Sequence, residues 1–310
     1  MNRRRVLALC GLCLSGSAGC LSRLPGQPTN ETDEPTEEPT ETRTNASTGD
    51  PSNDETGETT TRERDESATK DGVTVENIVV RKAITYKSTM GSGGVLAGDG
   101  QQYVVASVRA DRELSESDFS FVTDSDSWTP GLPETAGAIN RSVAGRDGGP
   151  IGRRLGGGDG RSYLAFTVPS PLSASNPRIR LAGSDATEWP LDASQRERLE
   201  APAPRFELDS LEVLDEIAQG ETLSVSLTVT NGSETDGRFL AAVYWPTKQI
   251  ADDDESHVVD RTVAAGDDVT ASLDIDTRYT TYEDESVTLS VRGHVSTERT
   301  VSVEDATTPS

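Results

Sequence analysis

Apolar and polar residues alternate with a period of two through most of the sequence after residue 72. In the stretch Tyr103–Ala110, every second side chain from Val104 onward is apolar. Successive side chains of a strand point to opposite faces, so this pattern predicts a strand with one face in a core. Glycine, proline and aspartate separate the alternating stretches, which is typical of turns. The sequence therefore predicts an all-β fold.

The alternating pattern divides into two predicted domains, 72–200 and 206–305, joined by a linker at 201–205 that contains two prolines. One helix is predicted, at Ala193–Leu199, with Asp192 as its N-cap. In the second domain Asn231-Gly232-Ser233 predicts a turn, from which the stretch 239–245 returns. Strands are predicted at 73–80, 84–86, 103–110, 119–122, 139–143, 163–168, 179–181, 188–191, 206–213, 222–230, 239–245, 258–263, 269–275, 287–291 and 295–303.

Seven of these strands fall within the second domain, which is the number typical of an immunoglobulin-like sandwich. The predicted fold is thus all-β, with two immunoglobulin-like β-sandwich domains after a disordered acidic linker. Residues 306–310 are predicted to be a disordered tail.

Both domains resemble known modules of prokaryotic surface proteins. The segments 102–108 and 163–169, with a glycine-rich turn at 156–160, make residues 73–192 similar to the telokin-like sandwich domains of lipoproteins. The strand 222–230, its Asn231-Gly232 turn and the stretch 264–267 make residues 204–305 similar to cell-adhesion-related immunoglobulin-like domains. These resemblances imply extracellular modules of uncharacterised function.

The first 20 residues predict an export signal. Three arginines precede an apolar run, 6–18, of only 13 residues, whereas a helix needs roughly 20 to span a bilayer. The pair Arg3 and Arg4 resembles a twin-arginine signal, and Ser17-Ala18-Gly19-Cys20 resembles a lipobox. The chain thereby resembles an exported lipoprotein of the haloarchaeal type. This resemblance implies a lipid on Cys20 and a location on the extracellular face of the cell membrane, and plain secretion is the alternative.

The cysteines and the charge support an exterior location. All three cysteines lie in the signal, so the exported body can form no internal disulfide. The Cys10-x-x-Cys13 spacing is embedded in the apolar run and is not interpreted as a redox or metal site. The net charge of −24, with four lysines, resembles proteins of extreme halophiles, and about 1 M salt screens such repulsion. Nucleic acid is excluded as an expected partner, because phosphate binding needs a basic patch.

Residues 21–71 are predicted to be a disordered tether rich in threonine, glutamate and proline. The segment has too few apolar side chains to offset the entropy of folding. Its mean reach as a random coil is on the order of 40 Å. Candidate N-glycosylation triplets begin at Asn30 and Asn45 in this segment and at Asn140 and Asn231 in the predicted domains.

The sequence predicts no catalytic residue and no cofactor. Its two histidines, His257 and His294, have no second histidine or acid at metal-ligand spacing, and no G-x-S-x-G motif occurs. Two acidic clusters are weak candidates for a hard cation such as calcium, and solvated acidic loops are the alternative interpretation: Asp124 with Asp126, and Asp252, Asp253, Asp254 with Glu255. Six aromatic residues are candidates for a sugar or protein contact, with core packing as the default: Trp128, Trp189, Tyr244, Trp245, Tyr279 and Tyr282.

The preferred functional hypothesis is a non-enzymatic, lipid-anchored surface protein that acts as a binding, adhesion or structural module of the cell envelope. Its expected partners are the membrane, through the anchor, and an envelope protein or glycan. The alternative is an accessory subunit or a cation-dependent enzyme of the envelope.

Overall fold

The computed structural model describes residues 68–70, 72–88, 93–133, 140–152, 161–183, 187–248, 254–281 and 285–304. All of them belong to one compact unit, Thr61–Ser310. Strands dominate this part of the chain, and the prediction of an all-β fold is confirmed.

Among the described residues up to 201, called here the first half, there are 13 strands, a short 3₁₀ helix at Glu116–Asp118 and one α-helix, α1, at Ala193–Glu200. The side chain of Asp192 accepts a hydrogen bond from the Gln195 amide at 2.7 Å, as expected of an N-cap. The strands are β1 Ala68–Lys70, β2 Val73–Arg81, β3 Ile84–Ser88, β4 Gly94–Leu96, β5 Gln101–Ala110, β6 Phe119–Val122, β7 Ser127–Trp128, β8 Asn140–Val143, β9 Arg146–Asp147, β10 Gly149–Pro150, β11 Arg161–Pro169, β12 Arg178–Leu181 and β13 Thr187–Pro190.

These strands form three sheets. Sheet 1 has the order β13-β12-β6-β7, sheet 2 has the order β1-β2-β5-β11-β10, and sheet 3 has the order β4-β3-β8-β9. One face of sheet 2 packs against sheet 1 and α1, through a core that includes Phe121 and Phe166. The other face packs against sheet 3, through a core that includes Tyr103 and Tyr163. Sheet 2 is therefore the middle layer of three.

The one-sided burial predicted for the stretch 103–110 is wrong. Tyr103 and Val105, on the face assigned to solvent, are as completely buried as Val104 and Ala106 on the other face. The reason is sheet 3, which covers that second face. A strand buried on both faces has a nearly continuous apolar sequence, and Tyr103–Ala106 has one.

In the part of the chain described from residue 206 onward, called here the second half, eight strands form two sheets. Sheet 4 has the order β15-β21-β20-β17-β18, and sheet 5 has the order β14-β16-β19. The two sheets share a core that includes Trp245, Leu223, Ile275 and Leu289. The strands are β14 Phe206–Glu212, β15 Glu216–Ala218, β16 Thr222–Asn231, β17 Gly237–Pro246, β18 Asp254–Val263, β19 Asp268–Asp276, β20 Ser286–Gly293 and β21 Thr297–Glu304.

The predicted turn at Asn231-Gly232 does not join two paired strands. Strand β16 pairs with β14 and β19 in sheet 5, whereas β17, the strand that follows the turn, pairs with β18 and β20 in sheet 4. The chain thus crosses from one layer of the sandwich to the other at this turn.

The side chain of Asn231 stabilises this crossing. It is fully buried, and its Oδ1 accepts from the Ser233 amide at 3.0 Å. Its amide nitrogen lies 3.0–3.2 Å from three carbonyl oxygens, those of Thr235, Val263 and Ala264. A residue bonded in this way is not accessible to a glycan in the folded protein, so Asn231 is not an acceptor in this state.

The two halves are in contact through a small apolar interface. Ala83 and Val95, beside and within sheet 3, form a buried cluster with Leu240 and Ala242 on the outer face of β17. At Gly94 a β-carbon would collide with the Tyr244 hydroxyl, so the absence of a side chain permits the close approach. The five sheets therefore form a continuous series, 1-2-3-4-5, in which each sheet packs against the next.

Lys82 fixes the segment that joins the two halves. Its Nζ donates to Gln102 Oε1 at 2.6 Å, to Ser170 Oγ at 3.1 Å and to the Ala201 carbonyl at 2.5 Å. Burial lowers the pKa of Lys82 to about 8, although all three acceptors favour the charged ammonium. The beginning of the linker predicted at 201–205 is thus hydrogen-bonded to the first half.

Candidate functional site

An open groove of about 580 Å³ lies on sheet 1, on the face turned away from sheet 2. Strands β6 and β12 form its floor, and the loop Thr123–Asp126 forms one rim. Ser120, Ser125 and Ser127 contribute hydroxyl groups to its lining. The lining of the groove is therefore more polar than apolar.

Hydrogen bonds fix the loop at the rim. The Thr123 amide donates to the Asp126 carbonyl at 2.9 Å, and the Asp126 amide donates to Thr123 Oγ1 at 2.9 Å. The Asp124 amide donates to the Ser175 carbonyl at 3.1 Å. Because the backbone is held at both ends of the loop, the carboxylates of Asp124 and Asp126 are presented from a defined position.

Two arginines lie in the groove, two residues apart on β12 and therefore on one face of the strand. Arg178 is mostly buried, with 16% of its side chain exposed. It donates to the Asn176 carbonyl at 2.7 Å and forms ion pairs with Glu188 at 3.0 Å and Asp124 at 3.7 Å. Arg180 is 46% exposed and lies 3.8 Å from the same Glu188 carboxylate.

Sequence reasoning missed these arginines as site residues. The signal was present, because the predicted strand 179–181 has Ile179 and Leu181 on its core face and Arg178 and Arg180 on the opposite face. Nothing in the sequence indicated that this opposite face is concave.

The structure brings one predicted acidic pair into the groove and separates it from the other cluster. Asp124 and Asp126 lie at the groove rim. Asp254 begins β18 opposite Pro246, and Glu255 Oε1 lies 3.9 Å from His257 Nε2. Asp252 and Asp253 lie outside the described residues. Within the described ranges, no group of three or more histidine, cysteine or acidic side chains is arranged to hold a metal ion.

The five candidate aromatic residues that the structure describes do not form one surface. Trp189 and Trp245 are buried in the cores of the first and second halves. Trp128 packs against Phe121, with ring centroids 5.7 Å apart, and Tyr244 packs at the interface between the halves. Tyr279 is 49% exposed on a loop of the second half. Tyr282 lies outside the described residues.

His294 has a structural role. Its Nδ1 accepts a hydrogen bond from the Leu240 amide at 2.9 Å, and its own amide donates to the Leu240 carbonyl at 3.0 Å. Its ring lies edge-on to Phe206, with centroids 5.0 Å apart. Burial lowers the pKa of His294 below its usual 6.5, because the apolar surroundings penalise the charged ring.

We expect His294 to make the protein less stable in acid. The unfolded chain binds more protons than the folded chain once the pH falls below 6.5, so the free energy of unfolding should decrease there. Urea unfolding at about pH 7.5 and about pH 5.5 measures this decrease. The His294→Gln variant should show a smaller decrease between the two pH values. An equal decrease in both proteins would contradict the assignment.

The remaining predicted sites lie mainly outside the described residues. These are Arg3 and Arg4, Cys20, Asn30 and Asn45. Asn140 begins β8, opposite Ser88. Of the helices in the described part of the chain, none has the length and apolar character needed to cross a bilayer.

Comparisons with known proteins give no family. No family model matches the chain, and no curated protein matches it. Among solved structures, a β-glucosidase from Listeria innocua in complex with glucose is 19% identical, with a TM-score of 0.28, over 33% of this chain and 16% of that chain. A β-glucosidase from Erythrobacter marinus is 13% identical, with the same TM-score and the same shares. The chain thus spans less than a fifth of these enzymes, and a likeness at this level carries no argument.

Proposed function

We propose that the chain is a non-enzymatic, lipid-anchored binding module of the cell envelope. The observation that supports this most directly is the groove on sheet 1, where carboxylates, guanidinium groups and hydroxyls surround an open volume on fixed backbone. Groups held in advance in this way lose little conformational entropy when a ligand binds.

The packing between the halves supports the same proposal. Sheet 3 contacts β17 through buried alanine, valine and leucine side chains, and Lys82 bonds the connecting segment to the first half. These contacts keep the two halves, and with them the groove on sheet 1, in a constant relative position. The long acidic tether predicted at 21–71 would carry that body away from the membrane.

The anchor is tested by replacing the predicted lipidated residue. We expect the unaltered chain to incorporate radiolabelled lipid precursor and to fractionate with membranes. The Cys20→Ser variant should incorporate no label and should appear in the medium. The Arg3→Lys, Arg4→Lys double variant should remain inside the cell with its leader uncut. An unaltered chain that is unlabelled, uncut and wholly cytosolic would overturn the proposal.

Metal analysis distinguishes this binding module from the alternative, a cation-dependent enzyme or accessory subunit. If the alternative holds, protein purified at high salt should contain a tightly held ion in stoichiometric amount, and chelation should remove an activity. A binding module should lose nothing on chelation. The control for the metal analysis is the Asp124→Asn, Asp126→Asn double variant. It lacks the acidic pair at the groove rim, so it should not hold an ion that these carboxylates bind.

A further inference from the structure

We propose that the groove on sheet 1 binds neutral saccharide chains, with the Arg180 guanidinium as donor and the Asp124 and Asp126 carboxylates as acceptors. This inference rests on the proposed function, because glycans of the envelope are the ligands within reach of a module anchored there.

The charged groups in and beside the groove are two guanidinium groups and three carboxylates. Arg178 and Arg180 face Asp124, Asp126 and the Glu188 carboxylate that lies between the two guanidinium groups. An anionic ligand would therefore gain no net attraction from the groove as a whole. At about 1 M salt the Debye length is also only about 3 Å, which weakens any longer-range attraction. Directional hydrogen bonds are what this arrangement offers.

The geometry of those hydrogen bonds suits hydroxyl groups. A guanidinium presents N–H donors in a planar fork, a carboxylate presents only acceptors, and a hydroxyl both donates and accepts. Neighbouring hydroxyls of a sugar ring can therefore accept from Arg180 and donate to the carboxylates at the rim. Hydrogen bonds in which one partner is charged are stronger than those between neutral groups.

The donor and the acceptors differ in how firmly they are held. Arg178 is bound to Asn176, Glu188 and Asp124 and is mostly buried, so it supports the site. Arg180 and Asp124 are about half exposed, at 46% and 59% of their side chains, and remain accessible to a ligand. The groove volume of about 580 Å³ lies within the range of about 300–1,000 Å³ for sites that bind small molecules.

The test uses the full chain in about 2 M KCl and defined probes. The probes are neutral hexasaccharides of glucose, mannose and N-acetylglucosamine, with a hexauronate as the charged comparison, and binding is measured by calorimetry. We expect at least one neutral probe to bind with a Kd on the order of 1 mM or below. Arg180→Ala should weaken that binding by about tenfold, and Asp126→Asn by about threefold.

Arg261→Ala is the matched control, because it removes the same charge from β18, outside the groove. Its binding should equal that of the unaltered chain, and thermal unfolding should show that all three variants are folded. Failure of every neutral probe to bind, binding of the hexauronate alone, or full binding by Arg180→Ala would each overturn the inference. If lipid labelling at Cys20 succeeds while the saccharides fail, only this inference is lost.

Discussion

Replacing Trp245 with alanine should lower the free energy of unfolding by about 3–5 kcal/mol, the range expected for a large aromatic residue in a core. Trp245 is completely buried between sheets 4 and 5. Its indole nitrogen donates to Thr280 Oγ1 at 2.8 Å, and that hydroxyl donates in turn to the Thr277 carbonyl. The variant therefore loses apolar contacts and leaves a buried hydroxyl without its donor.

Urea unfolding in about 2 M KCl measures the loss. Tyr279→Ala is the matched control, because Tyr279 is an aromatic residue beside Thr280 but is 49% exposed. We expect that change to cost less than about 1 kcal/mol. If the two variants had equal stability, Trp245 would not be the centre of the second core.

Replacing Gln102 with alanine should have the second largest effect, about 2–4 kcal/mol, because two buried carbonyls and the Lys82 ammonium would each lose a hydrogen bond. Gln102 is fully buried at the start of β5. Its amide donates to the carbonyls of Pro169 and Leu199 at 2.7 and 2.9 Å, and its Oε1 accepts from Lys82. The variant should thus weaken the contact between the first half and the connecting segment.

The neighbouring glutamine provides the control. Gln101 begins the same strand but is partly exposed, so Gln101→Ala should change the free energy of unfolding by about 0.5 kcal/mol or less. Limited proteolysis near residue 201 gives a second readout, since a loosened segment is cleaved faster. Unchanged stability and unchanged cleavage in Gln102→Ala would contradict the role assigned to this residue.

Most of the strands could be predicted from local sequence. Alternation predicted the positions of long strands such as β5 and β16, because each has a repeating pattern of side chains that enter a core. The helix α1 was predictable because the stretch 193–199 has a helical pattern and follows Asp192, a preferred N-cap residue. These are properties of a few consecutive residues.

The partners of those strands could not be predicted in the same way. Sheet 3 covers the second face of β5 with residues that lie between 84 and 147 in the sequence, and no local pattern indicates which face they cover. The turn at Asn231 is a turn in both the prediction and the structure, but its side chain bonds to residues more than 30 positions away. Those bonds hold the crossing between the two layers in place.

The site was less predictable than the fold. Asp124 and Asp126 were identified as candidates only because acidic side chains follow a strand. The groove depends on Arg178, Arg180 and Glu188, which come from β12 and β13, and on a loop held by the Ser175 carbonyl. A concave surface assembled from separate strands has no signature in a single stretch of sequence.

The position of β1 determines how the protein responds to mechanical tension on the chain before it. This strand is at the edge of sheet 2 and, among the described residues, is joined to β2 by three residue pairs, beginning with Ala68 opposite Val75. Tension from the N-terminal side would separate these pairs one after another. The residues released in this way would lengthen the chain before the force reached β2 and the core behind it.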